Sequence, residues 1–365
     1  MRLSAIVVAV LGLALSSAVL ATSAGAAVKI PASGVETPPT ASLSETGSTL
    51  LYPLFNLWVG GYGQKYPQVK IQTAGTGSGT GITDASNGTA DIGASDAYLS
   101  PSEVSATPTL KNIPLAISSQ LIAYNVPGVQ SHLKLTGKVI SSIYQGNITT
   151  WDNSAITKLN PGVTLPSIPI VTLHRSDSSG DTFLFTQFLS KTDPSGWGTK
   201  VAYNTTVPWP NAPGALGEMG NSGMVSGCAA TPGCIAYVGI SYQTQALQAG
   251  LGYAQLQNAK GAFVAPTASS IAAEAASFTK KTPANGTISL IYGPAPTGYP
   301  IVNYEYAIVD TKQSSTSTAK AVRSVLEWAI NKNDGNSTQY LAQVAFQPLP
   351  AKVVAQSLKQ ISAIS

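Results

Sequence analysis

Charge is what this sequence has least of. Of its 365 residues only 10% are Asp, Glu, Lys or Arg, and the formal net charge is +4. No Lys/Arg-rich run is present, so neither a nucleic-acid nor a membrane-surface footprint is supported. The only histidines are His132 and His174, and the only cysteines are Cys228 and Cys234. Those four are not spaced as a metal-ligand cluster. A Ser–His–Asp triad could be built only through His132 or His174, and His174 abuts Arg175, which disfavours a protonated imidazole. No repeat of 20 to 50 residues is visible, which leaves out solenoids and propellers.

Hydrophobic residues, in contrast, make up 44% of the chain. A chain this long suits two domains of roughly 150 residues each rather than one core. Gly (34) and Pro (24) are plentiful, but apolar runs interrupt every such stretch, so they read as turns and caps rather than disorder. The N-terminus, MRLSAIVVAVLGLALSSAVLATSAGAA, has one Arg, a long apolar run and small residues after it. This is the pattern of a secretory signal peptide over 1–27, cut near Ala24 to Ala27; an uncleaved anchor is the alternative. Residues 28–42 are rich in Pro and Thr and read as a flexible tether. No other apolar run is long enough to span a bilayer. In an exported chain the Pro-Gly turn of CAATPGC lets Cys228 and Cys234 meet as a local disulfide.

Beyond the tether, strand-like and helix-like segments alternate. Leu50, Leu51, Leu54, Phe55 and Trp58 follow a 3–4 spacing, with Ser48 or Thr49 at the cap position. VKIQTAG, ADIGAS, NIPLAISSQLIAYNVPG, PIVTLHRSD, GCIAYVGIS and YPIVNYEYAIVD read as strands, while ITDASNG, DTFLFTQFLSK and AKAVRSVLEWAINK read as helices. The order predicts α/β layering. The stripe Phe183, Phe185, Phe188 belongs to a core.

The scarce charge is concentrated in HRSDSSGDTFLF, residues 174–185. Three segments share a grammar of Gly/Ser/Thr turn followed by a helix start: GSTLL (47–51), GTGSGTG (75–81) and RSDSSGDT (175–182). The first lacks a clear preceding strand. A helix N-terminus offers unpaired N–H groups and partial positive charge, which suits an anion. Ser48, Thr49, Ser78 and Ser179 add hydroxyls, Gly180 allows close approach, and Arg175 supplies a cation in fork geometry. Taken singly, each segment is better explained by plain helix capping; it is the three together with one Arg that point to an anion. Asp177 can pair with Arg175. Asp96, at a strand end, can be a cap or an acceptor aimed into a cleft. Asp181 can be a helix-start residue favoured by the dipole, or a second acceptor. A buried carboxylate accepts from P–OH and repels a fully ionised oxyanion, so it would discriminate phosphate from sulfate. GTGSGTG is neither a P-loop nor a dinucleotide fingerprint, since no Lys follows it and the spacing is wrong. Ser78 lacks the Gly two positions earlier that a nucleophile elbow needs.

GSTLLYPLFNLW, GTGSGTGI, DIGASDAYLS, LHRSDSSGDTFLFTQFLS and TPGCIAYVGISY together resemble the phosphate-binding subunit of ABC-type phosphate uptake systems. The similarity runs from about Leu43 to the C-terminus, through KLTGKVISSIYQGNITTWDN and YPIVNYEYAIV, and CAATPGC points to the actinobacterial branch. The resemblance implies a two-lobed periplasmic-binding-protein fold with a ligand cleft. The chain would cross between lobes near 115 and 303, giving lobe 1 over 43–114 and 304–365 and lobe 2 over 115–303. It implies phosphate donors at Ser48, Thr49, the Leu50 backbone, Ser78, Arg175, Ser179 and Gly180, with Asp96 as proton acceptor and Asp177 orienting the Arg. At Asp181 this chain has a carboxyl where the family has a hydroxyl. The implied function is an exported, monomeric, non-enzymatic receptor that needs no cofactor or metal and passes inorganic phosphate to a membrane permease. A receptor for another oxyanion and an envelope phosphohydrolase are the alternatives. Relatives in this branch usually carry a lipobox Cys, which this chain lacks, so the resemblance does not say how it is held at the envelope.

Overall fold

A computed structural model describes residues 37–129 and 132–365. The signal-peptide segment and residues 28–36 of the tether lie outside the described residues. The last two tether residues do not behave as a tether. Ala41 and Ser42 open strand β1 (Ala41–Gly47), pairing with Val69 and Lys70. This strand was hidden in the sequence. Its inward positions are Leu43, Glu45 and Gly47, and one apolar residue in three gives no readable alternation.

Helix α1 (Tyr52–Lys65) follows β1 and buries Leu54, Phe55, Trp58 and Tyr62 on one face. Then come β2 (Val69–Gly75), α2 (Ser78–Asn87) and β3 (Ile92–Ser95). These three strands are parallel, with β1 between the others. A second parallel set is formed by β5 (Val171–Arg175), β6 (Leu216–Glu218) and β7 (Cys234–Gly239). Its helices are α3 (Gly180–Thr192) and α4 (Gly220–Ala230). In α3, Phe183, Phe185 and Phe188 are all buried, as a core stripe should be.

Two long strands join the sets: β4 (Leu110–Tyr124) and β8 (Val302–Asp310). The resulting order is β2-β1-β3-β8-β4-β7-β5-β6. β4 pairs with β8 from Leu110 to Ser119 and with β7 from Gln120 to Tyr124, so it changes partner midway. All but one of its residues are buried, which fits a strand covered on both faces. It tolerates Pro114 because a bulge opposite Glu305 and Tyr306 interrupts the ladder there. Helices α5 (Thr316–Ile330) and α6 (Ala351–Ile361) return to the β1–β3 side, α6 burying Val353, Ser357 and Ile361. We call the β1–β3 side the first lobe and the β5–β7 side the second.

Cys228, near the end of α4, is bonded to Cys234, the first residue of β7, with Cα atoms 5.3 Å apart. No helix among the described residues is long and apolar enough to cross a membrane.

Candidate functional site

Parallel strands with helices after them put their carboxyl ends, and the helix N-termini, at one edge of each lobe. Here β1 ends beside Ser48, β3 beside Asp96 and β5 at Arg175, while α2 opens with Ser78 and α3 with Gly180. These ends face each other. A Cβ on Gly180 would sit 2.5 Å from Ser78 Oγ and 2.7 Å from Asp96 Cβ, so the second lobe touches the first at this glycine. Gly77, at φ +100°, lies equally close to Asp177 Oδ2 and the Ser178 carbonyl, each 2.8 Å from where its Cβ would be. The Gly79 N–H donates to the Ser178 carbonyl at 3.1 Å, a backbone bond between lobes.

Asp96 is the focus of the first lobe. It is 2% exposed. The Ser48 hydroxyl donates to its Oδ1, and the Ser78 hydroxyl reaches Oδ2 at 3.4 Å. Ser48 also accepts from the Leu51 N–H at 2.9 Å, so it caps the turn leading into α1. Asp96 itself caps no helix among the described bonds; it is held as an acceptor. Burial, then the negative charge of Asp181, pushes its carboxyl up to about 7, against the pull of Glu305, Ser48 and Arg175.

Arg175 is the focus of the second lobe and is 3% exposed. Its Nε and Nη2 hold the two oxygens of Asp177, the Nε bond at 2.6 Å, and Nη1 holds Asp181 Oδ2 at 3.0 Å. Burial opposes its charge, but the two carboxylates more than offset this and raise its pKa. Asp177 ends below the usual carboxylate range: burial pushes it up, and the Arg175 bonds and the Gly220 N–H prevail. Asp181, buried in the first turn of α3, is raised by burial despite Arg175. It is not the helix cap. Ser179 fills that role, accepting from the Thr182 N–H at 3.4 Å.

A residue absent from the sequence reading ties the halves together. Asn221, fully buried at the start of α4, donates through Nδ2 to Asp181 Oδ2 at 2.6 Å and to Thr49 Oγ1 at 3.0 Å. Its Oδ1 accepts from the Gly239 N–H at 2.7 Å. Gln120 Nε2 also reaches Asp181 Oδ1, at 3.1 Å. Neither amide carries a charge or a motif, so nothing in the sequence marked them. The third omission is Glu305, buried on β8 beside Asp96; it lies within a segment that read only as a strand.

The structure thus brings Ser48, Ser78, Asp96 and Gly180 into one contact group, and Thr49, Arg175, Asp177 and Asp181 into another bridged by Asn221. Leu50 lies fully buried between them, its side chain against Gly239 and its carbonyl accepting from Ser241 at 2.8 Å. The two histidines are elsewhere in chemistry: Nδ1 of each faces a backbone carbonyl, of Tyr253 for His132 and of Arg175 for His174. Among the described residues no group of three His, Cys, Asp or Glu side chains could hold a metal ion.

This architecture matches known proteins. Residues 34–333 match the PBP superfamily domain. The phosphate-binding protein PstS of Xylella fastidiosa (strain 9a5c) is 32% identical over 327 residues, covering 88% of this chain and 86% of that protein. PstS of Methanocaldococcus jannaschii is 32% identical over 90% of this chain and 88% of its own length. The chain belongs to the PstS family of phosphate-binding proteins. PstS 2 of Mycobacterium tuberculosis is a further relative, 31% identical over 88% of this chain and 87% of that one. Among solved structures, the periplasmic phosphate-binding protein PfluDING superposes with a TM-score of 0.68 at 23% identity, covering 87% of this chain and 92% of that one. The two-lobed fold of this family is therefore the fold of this chain.

Proposed function

We propose that this protein is an exported, non-catalytic receptor that captures inorganic phosphate between its lobes and delivers it to an ABC permease in the membrane. One observation carries the reading: a buried carboxylate, Asp96, sits among hydroxyl donors beside the Arg175 guanidinium. An anion bound there must bring a proton for Asp96 to accept. Phosphate at neutral pH does so and sulfate does not.

Arg175 already faces Asp177 and Asp181, so the site holds little net positive charge. Attraction then rests on aligned dipoles, namely the N-termini of α2 and α3 and the hydroxyls of Ser48, Thr49, Ser78 and Ser179, with the backbone N–H groups at Leu50 and Gly180. Such dipoles strengthen when water is excluded. In this scheme Asp177 and Asp181 steady the guanidinium. The lobes, 43–114 with 304–365 and 115–303, close about the two shared strands β4 and β8.

Calorimetry with phosphate, sulfate and arsenate at pH 6, 7 and 8 tests this. Phosphate and arsenate should compete for one site, and at pH 8 sulfate should be rejected by at least ~100-fold. Sulfate binding comparable to phosphate would refute the acceptor role of Asp96. Steady turnover of a phosphate ester, lost on Ser78→Ala, would refute the non-catalytic reading.

A further inference from the structure

Asp96 does not stand alone behind the ligand site. Glu305, fully buried on β8, is its neighbour: β8 pairs Tyr306 with Ser95, and the Asn303 amide donates both to the Asp96 backbone carbonyl, at 3.5 Å, and to Glu305, so the two carboxyls interact. The bulge at Glu305 and Tyr306 sets where this side chain falls. Glu305 Oε1 accepts from Asn303 Nδ2 at 2.9 Å and is bonded to the Ser118 hydroxyl. Its Oε2 is buried and receives no N–H or O–H from any described residue.

Two interacting carboxyls in a buried site do not both stay charged, so the pair retains a proton. Its location follows from the partners. Asp96 has the Ser48 and Ser78 hydroxyls and the nearby Arg175 cation to stabilise a negative charge. Glu305 has no cation and one bare oxygen, and a bare buried oxygen is costly unless it carries a proton aimed at an acceptor. Asp96 is that acceptor.

We propose that Glu305 holds this proton and donates it to Asp96, keeping Asp96 an ionised acceptor for the ligand and so setting the pH range of phosphate selectivity. Glu305 acts through Asp96, as a positioning residue, and the idea rests on the phosphate reading above. Other groups facing the pair are Asp181 and Arg175 beyond Asp96, Ser118 on β4, Asn303 on β8, and the Tyr306 and Tyr98 phenols. Burial, then the charge of Asp96, raises the Glu305 carboxyl well above its ordinary range, which agrees with a retained proton.

Glu305→Gln keeps a donor for Asp96 but cannot titrate; Glu305→Leu removes the donor. By calorimetry, Glu305→Gln should follow the wild-type pH profile for phosphate. Glu305→Leu should match wild type at pH 9 and fall progressively behind, by ~10-fold at pH 6, because Asp96 loses a donor that favours its charged form. Its preference for phosphate over sulfate should narrow at the same time, because a neutral Asp96 can donate to sulfate. A pH-independent loss in Glu305→Leu, or a Glu305→Gln protein no better than Glu305→Leu, would overturn the proposal. Infrared difference spectra of the ligand-free proteins at pH 9 test it without binding. Wild type should show a protonated carboxyl stretch that Glu305→Gln lacks. No such band in wild type would sink the proposal even if neither variant folds. Failure of wild type to bind phosphate would instead remove the receptor reading and leave the infrared result standing.

Discussion

Gly180 is where the contact between the lobes is most exposed to test. It is the first residue of α3, and its φ lies outside the left-handed region, so alanine fits its backbone. The obstacle is on the other lobe. An added Cβ would meet Ser78 Oγ at 2.5 Å and Asp96 Cβ at 2.7 Å. Ordinary contacts of this kind lie near 3.5–4.0 Å, so Gly180→Ala must hold the lobes about 1 Å apart at this point. With phosphate bound as proposed, that displacement breaks hydrogen bonds made to it from both sides. Losing two such bonds to a charged group, at about 1.5–2 kcal/mol each, weakens phosphate binding by roughly a hundred- to a thousand-fold. Neither lobe's own core is touched, and alanine favours a helix, so ligand-free stability should change by less than about 1 kcal/mol. Calorimetry with phosphate and thermal unfolding without it give the two readings. Affinity within about three-fold of wild type, a difference under 1 kcal/mol, would refute the proposal that phosphate is held where α3 meets Asp96 and Ser78. A large loss of ligand-free stability would show that Gly180 serves folding instead.

Asn221→Ala takes the side-chain acceptor from the buried Gly239 N–H, one of three side-chain donors from Asp181 and one of two donors from Thr49. We expect about 2–3 kcal/mol of lost stability in urea titration; an unchanged midpoint would show the bridge to be dispensable. Asp181→Asn should weaken phosphate binding by the same factor at pH 6 and pH 8, because Arg175, Asn221 and Gln120 already occupy its oxygens. A loss confined to pH 6 would instead make Asp181 a second acceptor for dihydrogen phosphate. Burial raises Asp96 and Glu274 to about 7 and Glu45 to about 8, from ordinary values near 4. The folded state therefore binds more protons than the unfolded one between about pH 4 and pH 8, and stability from these groups is lost as pH rises through that window. The ligand-free Tm should fall from pH 5 to pH 8; a flat or rising Tm would contradict these burials.

How much the sequence alone decided depended on whether the signal was local. Helices α1, α3 and α5 and strands β4, β5, β7 and β8 were legible because apolar spacing is set by neighbours in the chain. So was the pairing of Arg175 with Asp177, two residues apart, and the Cys228–Cys234 bond, six apart. β1 was not legible, because Glu45 occupies an inward position that only the folded lobe can bury. Nor could the sequence assign Asp181, Asn221, Gln120 or Glu305. Beyond their near neighbours, the contacts that decide their roles span 40 to 209 residues, from Asn221–Asp181 to Glu305–Asp96, and only the sheet order makes these. The sequence determined which polar groups this charge-poor chain possesses and which strand ends and helix starts carry them. Tertiary structure decided which carboxyls meet a cation and which meet one another, and burial, which no residue has by itself, then fixed where their protons reside.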